Sequence, residues 1–302
     1  MYDVIIIGAG PAGSSAAIYA VRKNMKTLVL EGKMVGGEIA LSHNMANYLG
    51  FTSISGMDFA QRMEEHLKSL NVEIKYEEAT ELKRARAGFS VSTASGNKYE
   101  SKTVILATGA RYKRLNIPGE KELLGKGVSY CSTCDGPFFK DKVVAVIGGG
   151  NTAVSSALLL ASFAKKVYTV HRRDEFRADE IMVKELMKKT ECVCNHVPLE
   201  IIGKESVTGL RVQEVNTKKE RVLEVQGVFV HVGAVPSTEL AKQAGVEMDE
   251  RGYIKTDRHQ RTSVPGFFAA GDIAGVAWQV AAAVGQGAVA AISAYDYLKK
   301  KG

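Results

Sequence analysis

The chain has 302 residues, 45% of them hydrophobic and 24% charged, with a formal net charge of +7. That length exceeds one typical domain, and the composition is that of a globular protein with a large core, not of a disordered or fibrous chain. No run of about 18 apolar residues occurs, which excludes a membrane-spanning helix, and the positive excess is scattered without interleaved aromatics, which argues against a nucleic-acid stripe.

In chain order, residues 1–7 read as a strand running directly into Gly8-Ala9-Gly10-Pro11-Ala12-Gly13. No basic leader precedes that strand, so a secretory signal is not expected and the cytoplasm is the expected compartment. A helix and a second strand, 26–31, follow and end on Glu31. The spacing of Phe59, Met63 and Leu67 predicts a helix over about 56–70. Strand-like alternation then leads to a strand ending in Ala107-Thr108-Gly109. After Cys131-Ser132-Thr133-Cys134-Asp135 comes a strand from Val143, the turn Gly148-Gly149-Gly150-Asn151-Thr152-Ala153, a helix, and a strand ending on His171. A strand-like run over 192–197, an alternating region over about 203–233, the stretch 266–272 and a small-residue helix over about 278–298 complete the chain.

This order contains a repeat. Each glycine turn follows an apolar strand, opens a helix and precedes a second strand, and the same interval separates Gly8 from Glu31 and Gly148 from His171. In that context a Gly-x-Gly-x-x-Gly turn is a specific sign of dinucleotide binding. Gly8 permits the tight turn, Gly10 lets a pyrophosphate approach the backbone, and Gly13 lets the helix pack close, its N-terminus facing the phosphates. Glu31 stands where a carboxylate accepts hydrogen bonds from ribose hydroxyls. The second turn ends on Ala153 and its strand on His171-Arg172-Arg173, with Arg177 beyond. A carboxylate there would repel a 2′-phosphate, whereas guanidinium groups bind one bidentately, so the expected ligand is NADPH and not NADH.

Two dinucleotide sites imply hydride transfer from a nicotinamide to a flavin. Cys131 and Cys134 have the spacing of a redox-active pair, and Asp135 is placed to move a proton during exchange. No second ligand pair accompanies them, so no metal is expected. Cys192 and Cys194 read as buried apolar residues on one face of a strand. His43, His66, His196, His231 and His259 have no metal-like spacing and read as structural or surface residues.

The motifs Gly8-x-Gly-x-x-Gly13, Gly36-Gly37-Glu38-Ile39, Ala107-Thr108-Gly109, Cys131-x-x-Cys134-Asp135, Gly148-x-Gly-x-x-Ala153, His171-Arg172-Arg173-x-x-x-Arg177 and Ala270-Gly271-Asp272 occur in that order. With them the chain resembles the low-molecular-weight thioredoxin reductases over essentially its whole length. The larger reductases of the glutathione reductase type carry their cysteines in the first helix region, where this chain has Gly36-Gly37-Glu38. The resemblance implies an α/β fold of two Rossmann-like domains, the NADPH domain inserted into the FAD domain, divided at about 1–113, 114–240 and 241–302. It implies Cys134 as the flavin-proximal thiol, Cys131 as the interchange thiol that attacks a thioredoxin-like partner, and Asp135 as acid–base group.

By the same resemblance FAD would be held by Gly8, Gly10, Pro11, Ala12, Gly13, Glu31, Gly36, Gly37, Glu38, Ile39, Thr108, Gly109, Gly271 and Asp272. Asn47 and Gln279-Val280-Ala281 would border its ring, with a backbone contact near Ala79. NADPH would be held by Gly148, Gly150, Asn151, Thr152, Ala153, His171, Arg172, Arg173 and Arg177. A homodimer and hinges near 112–116 and 238–242 are also implied. Relatives that use a deazaflavin or ferredoxin, or that serve a peroxiredoxin system, are the alternatives, and a non-catalytic flavin or NADP sensor is a further one. Ala153-Val154-Ser155-Ser156 departs from relatives that carry glutamates there, and Trp278 stands where they often have arginine. Trp278 fits either a contact with flavin or nicotinamide domain, or core packing.

Overall fold

The computed structural model describes residues 1–42, 45–275 and 277–300; His43 lies outside them. The chain forms two compact units, one made of Met1–Ser42, Tyr48–Arg111 and Val235–Gly302, the other of His43–Asn47 and Tyr112–Ala234.

The first unit begins with β1 (Tyr2–Ile7), α1 (Pro11–Arg22) and β2 (Thr27–Leu30), then α2 (Gly56–Ser69), β3 (Glu73–Lys75), β4 (Ala79–Ala85), β5 (Gly88–Thr93) and β6 (Lys98–Leu106). β1 lies between β2 and β6, parallel to both. Its residues alternate between two cores. Val4 and Ile6 belong to one cluster with Ala16, Ala20 and Ala290, whereas Ile5 and Ile7 join Leu28, Leu106 and Phe267 in the other. A strand apolar on both faces is what a covered parallel sheet requires. β7 (Ala110–Tyr112) begins the passage into the second unit.

The second unit holds β8 (Val128–Ser129), α3 (Ser132–Asp135), β9 (Val143–Ile147), α4 (Asn151–Leu160), β10 (Lys166–Val170), α5 (Glu180–Lys189), β11 (Glu191–Val193), β12 (His196–Gly203), β13 (Val207–Glu214), β14 (Glu220–Leu223) and β15 (Gly227–Val230). A parallel sheet runs β11-β10-β9-β15-β8, and β12-β13-β14 form a separate antiparallel sheet. β16 (Ala234–Pro236) leads back to α6 (Glu239–Gln243), β17 (Phe267–Ala269) and α7 (Val280–Lys299) in the first unit. β17 extends the first sheet by pairing parallel with the end of β6.

Two local expectations change. The run 192–197 is not one strand: β11 stops at Val193, and Asn195 turns the chain at φ 56° before β12. Cys192 and Cys194 are therefore half-buried, not fully inside, although burial still pushes both thiol pKa values up. Residues 238–242 are not a free connection either. Leu240 and Ala241 of α6 are packed in the first unit's core, and the chain crosses between units at Ala234–Val235.

Candidate functional site

In the first glycine turn, sterics explain each glycine separately. Gly8 has φ +101°, and a Cβ there would stand 2.5 Å from the Ala107 carbonyl oxygen; a Cβ on Gly13 would meet the Gly8 oxygen at 1.8 Å. At Gly10 the nearest atom would be 3.9 Å away, so that position is kept open for something other than protein. Gly10 is the N-cap of α1 with no side-chain capping bond, and Pro11 starts the helix without an N–H to satisfy. The helix end is thus left for an anion. Glu31 fixes the turn: the Ala9 N–H donates to its Oε2 at 2.7 Å and the Lys33 N–H to its Oε1 at 2.8 Å.

The rest of the first site gathers on the same unit. Gly36, whose N–H donates to the Ala9 carbonyl at 2.9 Å, and Gly37 both take positive φ before the short helical turn carrying Glu38 and Ile39. Thr108 Oγ1 donates to the Ser237 carbonyl, so its hydroxyl is committed to the protein. Gly109 has φ +68° with nothing near its missing side chain. Gly271 adopts φ +84° and its N–H donates to Gln286 Oε1 at 2.7 Å. Burial, with the Glu38 charge adding to it, pushes the Asp272 carboxyl pKa up to about 6. Gln279 is the N-cap of α7, which Val280 and Ala281 open. Ala79 starts β4 opposite Thr93. Residues 45–47, with Asn47, group with the other unit. Trp278 holds φ +49°, half-buried, with its ring 5.9 Å from that of Tyr253.

The second turn repeats the plan with different chemistry. A Cβ on Gly148 would lie 2.4 Å from the His231 carbonyl oxygen and 2.7 Å from the Ala153 Cβ, whereas Gly150 faces open space. Gly150 caps α4 with no side-chain bond. Asn151 Oδ1 accepts from the Asp179 N–H and the Gly149 carbonyl from the Arg177 N–H, which folds the segment after β10 over the turn. Thr152 is exposed at the helix start. His171 parts company with its arginine neighbours. It is 6% exposed, under Gly149, its Nε2 is 3.2 Å from the Glu175 carbonyl, it stacks on Phe176, and burial lowers its pKa. Arg172, Arg173 and Arg177 are exposed and available to an anion.

Cys131 and Cys134 form a disulfide with Cα atoms 5.3 Å apart, at the end of β8 in the same sheet as the second turn. Cys131 caps α3, its Sγ accepting the Cys134 N–H at 3.1 Å. Ser129 organises the loop: its Oγ donates to Asp135 Oδ2 at 2.5 Å and accepts the Cys131 N–H at 3.0 Å. Glu120, 3% exposed, receives the N–H groups of Leu115 and Asn116 and the hydroxyl of Tyr130, next to Cys131. Ser129, Glu120, Gln286 and the Ser132–His231 pair escaped sequence reasoning. For His231 a signal existed: it follows the apolar strand Gly227–Val230, at the carboxyl edge where open α/β sheets gather ligands.

Two uncapped glycine turns and a redox disulfide define a class of protein, and the chain belongs to the pyridine nucleotide-disulphide oxidoreductases, whose family profile matches residues 2–287. Among curated relatives, the thioredoxin reductase of Treponema pallidum is 43% identical over 98% of this chain and 97% of its own length. A component of the alkyl hydroperoxide reductase of Staphylococcus aureus is 38% identical over 98% of this chain but 59% of its own. The crystal structure of thioredoxin reductase from Streptococcus pyogenes superposes with a TM-score of 0.95 at 40% identity, covering 99% of both chains. No helix among the described residues is long and apolar enough to cross a membrane, and those residues include no group of three or more metal-ligating side chains.

Proposed function

We propose that the chain carries electrons from NADPH through FAD to the Cys131–Cys134 disulfide and on to a thioredoxin-like protein. The observation that carries this reading is the disulfide itself, formed at the end of β8 in the sheet whose β9 opens into the second glycine turn. The residues fit both dinucleotides. The open Gly10 and the uncapped start of α1 suit a pyrophosphate, and Asp272, a half-buried acid with a raised pKa, suits hydroxyl groups such as those of a ribityl chain. Gly150, the uncapped α4 and the three exposed arginines suit a pyrophosphate and a 2′-phosphate.

FAD, when bound, supplies the two-electron carrier between nicotinamide and disulfide. Reduction adds two electrons and two protons, breaks the Cys131–Cys134 bond and leaves two thiols. Asp135, held by Ser129, takes or returns the proton. The Cys131 thiolate attacks the partner's disulfide, expelling one partner thiolate and forming a mixed disulfide. Cys134 then attacks Cys131 Sγ, releasing the second partner thiol and restoring the bond seen here.

Anaerobic titration of the purified yellow protein with NADPH, NADH and a reduced deazaflavin, followed at the flavin band, tests the donor. Bleaching by stoichiometric NADPH is expected. A protein bleached only by the deazaflavin would retain the fold and the disulfide but overturn the donor assignment.

A further inference from the structure

Ser132, the residue after Cys131, is 3% exposed and its Oγ shares a 2.8 Å hydrogen bond with His231 Nε2. His231 in turn closes on the second glycine turn through its backbone. Its N–H donates to the carbonyl of Ile147, the last residue of β9, at 2.8 Å. Its carbonyl oxygen occupies the space beside Gly148, 2.4 Å from where a Cβ would stand. One residue therefore touches the dinucleotide turn with its backbone and the disulfide loop with its side chain. Burial pushes the imidazole pKa down to about 4, so the ring is neutral at pH 7. Ser132 is buried, so losing the bond to the half-buried His231 would leave its hydroxyl without this partner at a cost, which favours the two side chains moving together.

We propose that the Ser132–His231 pair couples the oxidation state of the Cys131–Cys134 disulfide to the affinity of the Gly148 turn for a phosphorylated dinucleotide. The inference rests on reading that turn as the pyridine nucleotide site. In the disulfide form, Ser132 and Thr133 are closed into a small ring with Cα atoms of the cysteines 5.3 Å apart. Adding two electrons and two protons replaces the S–S bond by two thiols, whose sulfurs must separate to van der Waals distance. The ring then relaxes through Ser132. Because the interior is close-packed, that displacement reaches His231 and, through it, Gly148. The ring-closed form holds the turn in the shape described here; the dithiol form loosens it. By linkage, a dinucleotide on the turn shifts the dithiol–disulfide equilibrium by the same factor as reduction shifts its affinity.

The test uses the flavin-bound protein and 2′-phospho-ADP-ribose, which carries the phosphates but cannot accept hydride. Its Kd is measured calorimetrically with the disulfide intact and after reduction by a phosphine. The disulfide form should bind at least about fivefold more tightly, the low end of allosteric factors. His231→Ala and Ser132→Ala should bring the two Kd values together, while His231→Gln, whose amide reaches the Nε2 position, should keep them apart. Equal affinities in the unsubstituted protein, or a ratio that survives both alanine variants with normal flavin content, overturn the coupling alone. Failure to bind in either state overturns the nucleotide reading and the coupling with it.

Discussion

The two glycine turns have one backbone plan and opposite chemistry at the strand that follows. In the first, Glu31 sits at the strand end, tied to the Ala9 N–H, so the turn carries its own negative charge. In the second, the equivalent place is His171, folded under Gly149, and the charge beyond it is positive and exposed. In the proposed reading the two helix N-termini would treat phosphates alike, and the strand ends would discriminate between riboses. The repeat therefore keeps one backbone plan and diverges in charge at the strand end.

The sharpest break of this comparison lies at the cysteines, which only the second unit possesses. Cys134→Ser should lower disulfide reduction by about a thousandfold or more, the usual scale for a lost nucleophile, while NADPH still bleaches the flavin. Loss of both activities would show that the two turns do not work independently of the disulfide.

Arg173→Ala or Arg177→Ala should cut kcat/KM for NADPH by about 10- to 100-fold, the value of a charge-assisted hydrogen bond, and leave the rate with NADH unchanged. Steady-state kinetics with both nucleotides checks this; equal losses would return the arginines to a general surface role.

Matched alanines at the glycines give a smaller effect. Gly13→Ala forces a Cβ to 1.8 Å from the Gly8 oxygen and should destabilise the first unit by about 1–3 kcal/mol. Gly150→Ala, with open space and φ −98°, should leave the melting temperature unchanged and weaken only nucleotide binding. Thermal melts with and without nucleotide separate the two outcomes.

The finest contrast is in pH. Asp272 has its pKa raised from 3.8 to about 6, so the folded first unit holds a proton that the unfolded chain has lost, and its stability falls as pH rises through that window. His231 has its pKa lowered from 6.5 to about 4, so the second unit loses stability as pH falls from 6.5 to 4. Asp272→Asn in the flavin-free protein should therefore remove the first unit's loss of stability as pH rises from about 4 to 6, and His231→Gln the second unit's opposite loss as pH falls from 6.5 to 4. Melting curves from pH 4 to 8 that keep both slopes in the variants would reassign them to other groups.

Much of this was legible because it rests on local rules. The apolar run of β1 and the phased Phe59, Met63 and Leu67 declared their elements, and the glycine turns declared themselves by the strands around them. Long-range pairings were not legible. His171 looked like part of a basic clamp because its burial depends on Gly149, a contact that no periodicity encodes. Cys192 and Cys194 looked like one strand because nothing local announced the left-handed Asn195. Ser132 and His231 stand 99 residues apart and meet only because β15 runs beside β8 in the sheet.

Gly287 has a further consequence. A Cβ there would reach within 2.0 Å of the Ala12 carbonyl oxygen, so α7 lies directly on α1 and the end of the chain completes what its beginning started. During synthesis the second unit, essentially continuous from Tyr112 to Ala234, has all its strands before α7 exists. The first unit must hold β1 and α1 with an unfinished core until β17 and α7 arrive, and closing that long loop is slow relative to local structure.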